Sequence, residues 1–142
     1  MRKLYLSNQL NLSPKKIILI GDFVNYCIRN LPIRSKEMHV YLVDSRSDYR
    51  ISTTAYYAPG QNVIAIYCKN RALVDICRSI AHEMTHMLQD ELGMLEGPIQ
   101  DVGGFHENHA NAKAGELIKS FAKSKPKRKG IYEGKKKRLT LA

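Results

Sequence analysis

Long apolar runs are missing from this chain. Runs such as Ile17 to Ile20 are far short of the roughly 20 residues a membrane-spanning helix needs, which excludes a helical membrane span. The opening stretch MRKLYLSNQL has two basic residues but no apolar core and no small-residue cleavage site, so a secretory signal is not expected there. Cysteine is scarce: Cys27, Cys68 and Cys77 form no CxxC pair. An odd number of thiols without that spacing argues against a disulfide framework and for reduced, buried side chains, as in a cytoplasmic protein. No internal repeat is present. Acidic residues are nearly absent from the C-terminal stretch. Residues 119–142 carry ten Lys or Arg against one Glu, whereas the preceding residues carry 13 basic against 12 acidic.

What is present fits one compact domain. The 142 residues are 44% hydrophobic and 25% charged, enough for a single core and too few for two independent ones. Residues 1–122 are expected to form that domain, and residues 123–142, dense in lysine with Pro126, Gly130 and Gly134, a flexible basic tail. Such a tail has two readings, a solvated appendage or a dock for nucleic acid or another acidic surface through counterion release. Tyr132 is the only aromatic among its charges, so base stacking has little support.

Ser13 followed by Pro14 predicts a capped helix start. Ile17, Ile20, Val24, Cys27, Ile28 and Leu31 then recur at helical spacing until Pro32. Three runs rich in β-branched and aromatic residues, MHVYLVD, ISTTAYY and NVIAIYC, predict strands. The last two flank a turn at Ala58 to Gln61, which suggests a small, mainly antiparallel sheet. Asn70 is a candidate cap for a second helix with Leu73, Ile76, Cys77, Ile80, Met84, Met87 and Leu88 on its buried face, stopped by Gly93. A third helix is expected from about Phe105 to Ala122, with Ala110, Ala114, Leu117, Ile118 and Phe121 near one face. The fold class is therefore α+β.

The second predicted helix contains HEMTH, residues 82–86. Two histidines four apart project from one helix face a turn apart and can share one metal ion, and Glu83 stands beside that face. There it can accept a proton from water acidified by Zn²⁺. A catalytic zinc requires a third protein ligand. Glu107 is the strongest candidate, because the 20 residues between it and His86 let the first helix finish and the chain double back. Ala110 and Ala114 would let the helices approach closely. Asn111, one turn beyond Glu107, is placed to hydrogen-bond the second nitrogen of a ligand histidine. His106 and His109 are rival ligands.

With His82, Glu83, His86, Glu107 and Asn111 in place, and with the stretch ENHANAKAG, the sequence resembles the gluzincin zinc peptidases. In that thermolysin-like group HExxH is followed on a later helix by a ligand Glu and, four residues on, an acidic or amide partner. It is similar as well to minimal members such as the IrrE-type proteins and the short HExxH proteins often encoded by phages. The resemblance spans roughly Val63 to Ile118. It implies a minimal zincin fold, a small twisted sheet packed on the HEMTH helix, with NVIAIYC as the edge strand that pairs with an extended peptide. It also implies a zinc-dependent peptide hydrolase acting in a cytoplasm, that of the host if phage-encoded. Asn111 stands where the thermolysin pattern has aspartate, so it would orient His82 without adding charge. The residue expected to polarise the substrate carbonyl is left open among Tyr56, Tyr57, His109 and Tyr132.

On this reading His82, His86 and Glu107 hold Zn²⁺ and Glu83 is the general base for hydrolysis of a peptide or protein substrate. The alternatives are a catalytically silent, zinc-containing regulatory or interaction protein, and a nucleic-acid-associated protein acting through its tail.

Overall fold

A computed structural model describes residues 3–49, 51, 53–95 and 104–133. Four strands, β1 (Lys3–Asn8), β2 (Glu37–Val43), β3 (Ala55–Ala58) and β4 (Val63–Tyr67), form one sheet in the order β1-β2-β4-β3. Three α-helices accompany them, α1 (Pro14–Asn30), α2 (Leu73–Glu91) and α3 (Phe105–Ser124), followed by a short 3-10 helix, Pro126–Tyr132. The architecture is α+β. Among the described residues no helix is long and apolar enough to cross a membrane.

Helix α1 starts as its sequence dictates: the Ser13 hydroxyl accepts the Lys16 N–H and Pro14 occupies the first turn. Ile20, Val24, Cys27, Ile28 and Leu31 of its apolar stripe are buried, joined by Phe23. Alternation in the strands sends Met38, Val40, Leu42, Ile64 and Ile66 to the face that the helices cover. Val43 and Ala65 point to the opposite face, where Ile51 from the β2–β3 connection packs on them with Tyr41, Tyr56 and Tyr67. All three cysteines are free and buried.

The sheet is mixed rather than mainly antiparallel. β1–β2 and β2–β4 are parallel, with Tyr5 opposite His39 and Tyr41 opposite Ala65, and only β3–β4 is antiparallel. The physical reason is connection length. Antiparallel neighbours can be joined by a tight turn, as β3 and β4 are through the turn with Gly60 at φ +77°. Helix α1 instead carries the chain back over the sheet, which makes β2 parallel to β1. A second correction follows from the strand order. β4, the NVIAIYC segment, is paired on both sides, so it is not an edge; the edges are β1 and β3.

Asn70 does not cap α2. It takes a left-handed conformation, φ +58°, in the turn before the helix, and the cap position is Ala72 without a side-chain bond. Arg71 secures this junction, its guanidinium donating to the Tyr67 and Asp75 carbonyls and to the Ser79 hydroxyl. At the other end Gly93, φ +73°, terminates α2, and the Met94 N–H reaches the Gln89 carbonyl at 2.9 Å, the i+5 bond of a Schellman ending.

The tail is not free from residue 123 onward. Arg128, buried, donates to both carboxylate oxygens of Asp22 on α1 at 2.8 and 2.7 Å and to Ser124 Oγ at 2.7 Å. Its guanidinium also lies 4.7 Å from the Phe121 ring centre, and Ile131 is fully buried. Lysine density signals solvation, but one bidentate ion pair and one apolar anchor fix this turn. The packed domain therefore reaches Glu133, with Lys125, Lys127 and Lys129 exposed on its surface; residues 134–142 of the expected tail lie outside the described residues.

Candidate metal centre

The site lies between α2 and the first turns of α3. Helical spacing puts His82 and His86 on one face of α2, and the fully buried Ala110 and Ala114 of α3 leave no bulk to hold the helices apart. Glu107 enters from α3 and touches both histidines, with Oε1 3.0 Å from His82 Nε2 and Oε2 2.5 Å from His86 Nε2. The two Nε2 atoms are 3.2 Å apart. All ligand atoms of the three residues fall within 4.8 Å of one another.

Tetrahedral ligands held about 2.0–2.1 Å from zinc stand about 3.3 Å from each other, and the nearest separations here, 2.5 to 3.2 Å, lie somewhat below that value, within reach of a small outward shift. Two imidazoles with one carboxylate are also a donor set of catalytic zinc, which keeps a fourth position open. The residues present therefore fit the ion.

Glu83 Oε2 stands 3.8 Å from His82 Nε2. Burial pushes the Glu83 carboxyl up to about 7, opposed by His86 and assisted by the nearby Glu107 charge. Burial lowers the His82 pKa from its ordinary value, with Glu107 opposing, so the neutral imidazole that ligates metals is favoured. Asn111, one turn beyond Glu107, also opposes the lowering of the His82 pKa.

The rivals for third ligand lie elsewhere. His109 Nδ1 is 3.0 Å from Gln89 Nε2, and His106 meets the same Gln89 nitrogen through its carbonyl at 3.1 Å. The His106 Nδ1 atom is buried with no hydrogen-bond partner among the described residues. Of the four residues considered for polarising a carbonyl, Tyr57 is committed, its hydroxyl donating to Asp90 Oδ2 at 2.6 Å. Tyr56 packs in the small cluster on the far face of the sheet, and Tyr132 packs against the main core. His109 is hydrogen-bonded to this site's network through Gln89.

One residue of the site carries no motif. Gln89, fully buried, lies 2.8 Å through Oε1 from His86 Nδ1 and ties α2 to α3 through its amide nitrogen. Its only trace in the sequence is an amide three residues after His86, on the same helix face.

Comparison of the chain with protein-family models, curated proteins and solved structures returns no match.

Proposed function

We propose that this chain is a small zinc-dependent peptide hydrolase of gluzincin type, with His82, His86 and Glu107 as metal ligands. The observation that carries the reading is the convergence of these three ligand atoms within 4.8 Å. The placement of a largely buried carboxylate, Glu83, beside the first histidine supports it further. When bound, zinc would supply Lewis acidity, lowering the pKa of water and polarising a carbonyl.

The roles of the chain's own groups then follow from position. Glu83 takes a proton from the attacking water at a carboxylate oxygen and returns it to the leaving amine nitrogen. Asn111 holds the His82 ring, and the low exposure of the site restricts bulk water. A peptide lying extended would pair with the β3 edge, since β4 is enclosed.

Elemental analysis of protein purified without chelator tests the metal, with near-stoichiometric zinc expected in the parent and none in Glu107→Ala. Glu83→Gln is expected to keep the zinc and lose about 10²–10⁴-fold in cleavage of casein or a peptide library. No bound zinc and no uptake on titration would overturn the proposal. Zinc without any cleavage would instead identify a catalytically silent zinc protein.

A further inference from the structure

The orientation of the Gln89 amide is dictated by a neighbour that has no choice of role. The His106 carbonyl oxygen can only accept a hydrogen bond, so the atom 3.1 Å from it must be the amide nitrogen. Oε1 then faces His86 Nδ1 at 2.8 Å and, being an acceptor only, requires that nitrogen to carry a proton. The second amide N–H points at His109 Nδ1, 3.0 Å away, which must be unprotonated to accept it. A single backbone carbonyl thus fixes the proton on two imidazoles.

We infer that Gln89 is a positioning residue that holds His86 with a proton on Nδ1 and so turns its Nε2 toward His82 and Glu107. It also holds His109 with Nδ1 unprotonated and its proton on Nε2. The inference deepens the zinc-site reading and rests on it for its purpose, though the proton assignment stands without any metal. Gln89 does a second task through the same contacts. By bonding the His106 carbonyl it anchors the first turn of α3, the turn that carries Glu107, to the helix that carries both histidines. Ligand orientation and ligand spacing are therefore set by one side chain. A histidine ligand oriented through its remote nitrogen is a better donor than a free-turning one, and loss of such partners typically weakens metal affinity about 10–100-fold.

The test begins with the metal-free full chain, ¹⁵N-labelled, with long-range ¹H–¹⁵N correlations recorded at about pH 8, above the ordinary histidine pKa. The parent is expected to show His86 Nδ1 as a protonated, pyrrole-type nitrogen and His109 Nδ1 as an unprotonated, pyridine-type nitrogen. Gln89→Met, of similar length and without polar atoms, should lose both signatures and raise the zinc dissociation constant, read by competition with a chromophoric chelator, by about 10–100-fold. Gln89→Glu keeps an acceptor for His86 and loses the N–H donors. It should retain the His86 signature and lose that of His109, and it serves as the test if Gln89→Met does not fold. A parent His86 with an unprotonated Nδ1, or a folded Gln89→Met with parental nitrogens and zinc affinity, would overturn the inference. A parent that shows both signatures but takes up no zinc would refute the metal reading and leave the proton assignment intact.

Discussion

Helix α3 meets its neighbours with two different chemistries. Its first turns present Glu107, His109 and Asn111 to the polar groups of α2, whereas its last turns bury Leu117, Ile118 and Phe121 in the core. Phe121 packs edge-on against Phe23 at 5.0 Å and against Tyr26 at 5.4 Å. Directional contacts fix where atoms lie but add little net stability, since each replaces a bond to water. Apolar contacts stabilise in proportion to area and tolerate small shifts. The same helix thus anchors at one end and aims at the other, and substitutions at its two ends should separate folding from metal binding.

The largest effect is expected at the apolar end. Phe121→Ala should cost about 3–5 kcal/mol, read as a lower urea midpoint, with the folded fraction retaining its zinc. Glu107→Ala inverts that outcome: zinc is lost while the metal-free protein changes by no more than about 1 kcal/mol, as for a partly exposed ion pair. If both variants lost zinc and stability together, the two ends would not be separable. Asn111→Ala sharpens the contrast within the polar end. It should weaken zinc about 10-fold by freeing the His82 ring, with no shift in the urea midpoint.

The smallest effect concerns the ion pair beyond the apolar end. Hydrogen bonding from Arg128 holds the Asp22 carboxyl below its ordinary 3.8. A depressed folded-state value means that the pair stabilises above that ordinary value and that the contribution is lost as pH falls through the lower, folded-state one. Asp22→Asn should therefore melt below the parent at neutral pH, with the gap closing under strong acid. A gap independent of pH would assign the loss to packing rather than charge.

Much of this arrangement is legible in the sequence because it repeats locally. The stripes of α1 and α2 recur every three or four residues, and HEMTH lies within one turn. Glu107 and Asn111 are again one turn apart, and in the structure Glu107 meets both histidines. What escapes is nonlocal. β1 alternates Leu4 and Leu6 inward with Tyr5 outward, yet it is only six residues long and pairs with a strand beyond a whole helix. The strand order, with β4 inserted between β2 and β3, depends on how the 44–54 connection crosses, which no local pattern encodes. Gln89 looks like an interruption of an apolar face because its partners lie on another helix. Arg128 looks like one more tail cation because its carboxylate partner is 106 residues away.

The docking of Arg128 and Ile131 on the body of the fold bears on how the protein is made. Domains generally fold as units while the chain is being synthesised. Here the Asp22 carboxylate and the apolar site that receives Ile131 belong to a unit whose final pieces are encoded about a hundred residues after α1. The emerging chain therefore presents α1 without its closing contacts until residue 131 has left the ribosome, and a chain released after residue 122 would keep every proposed zinc ligand but lack the clasp.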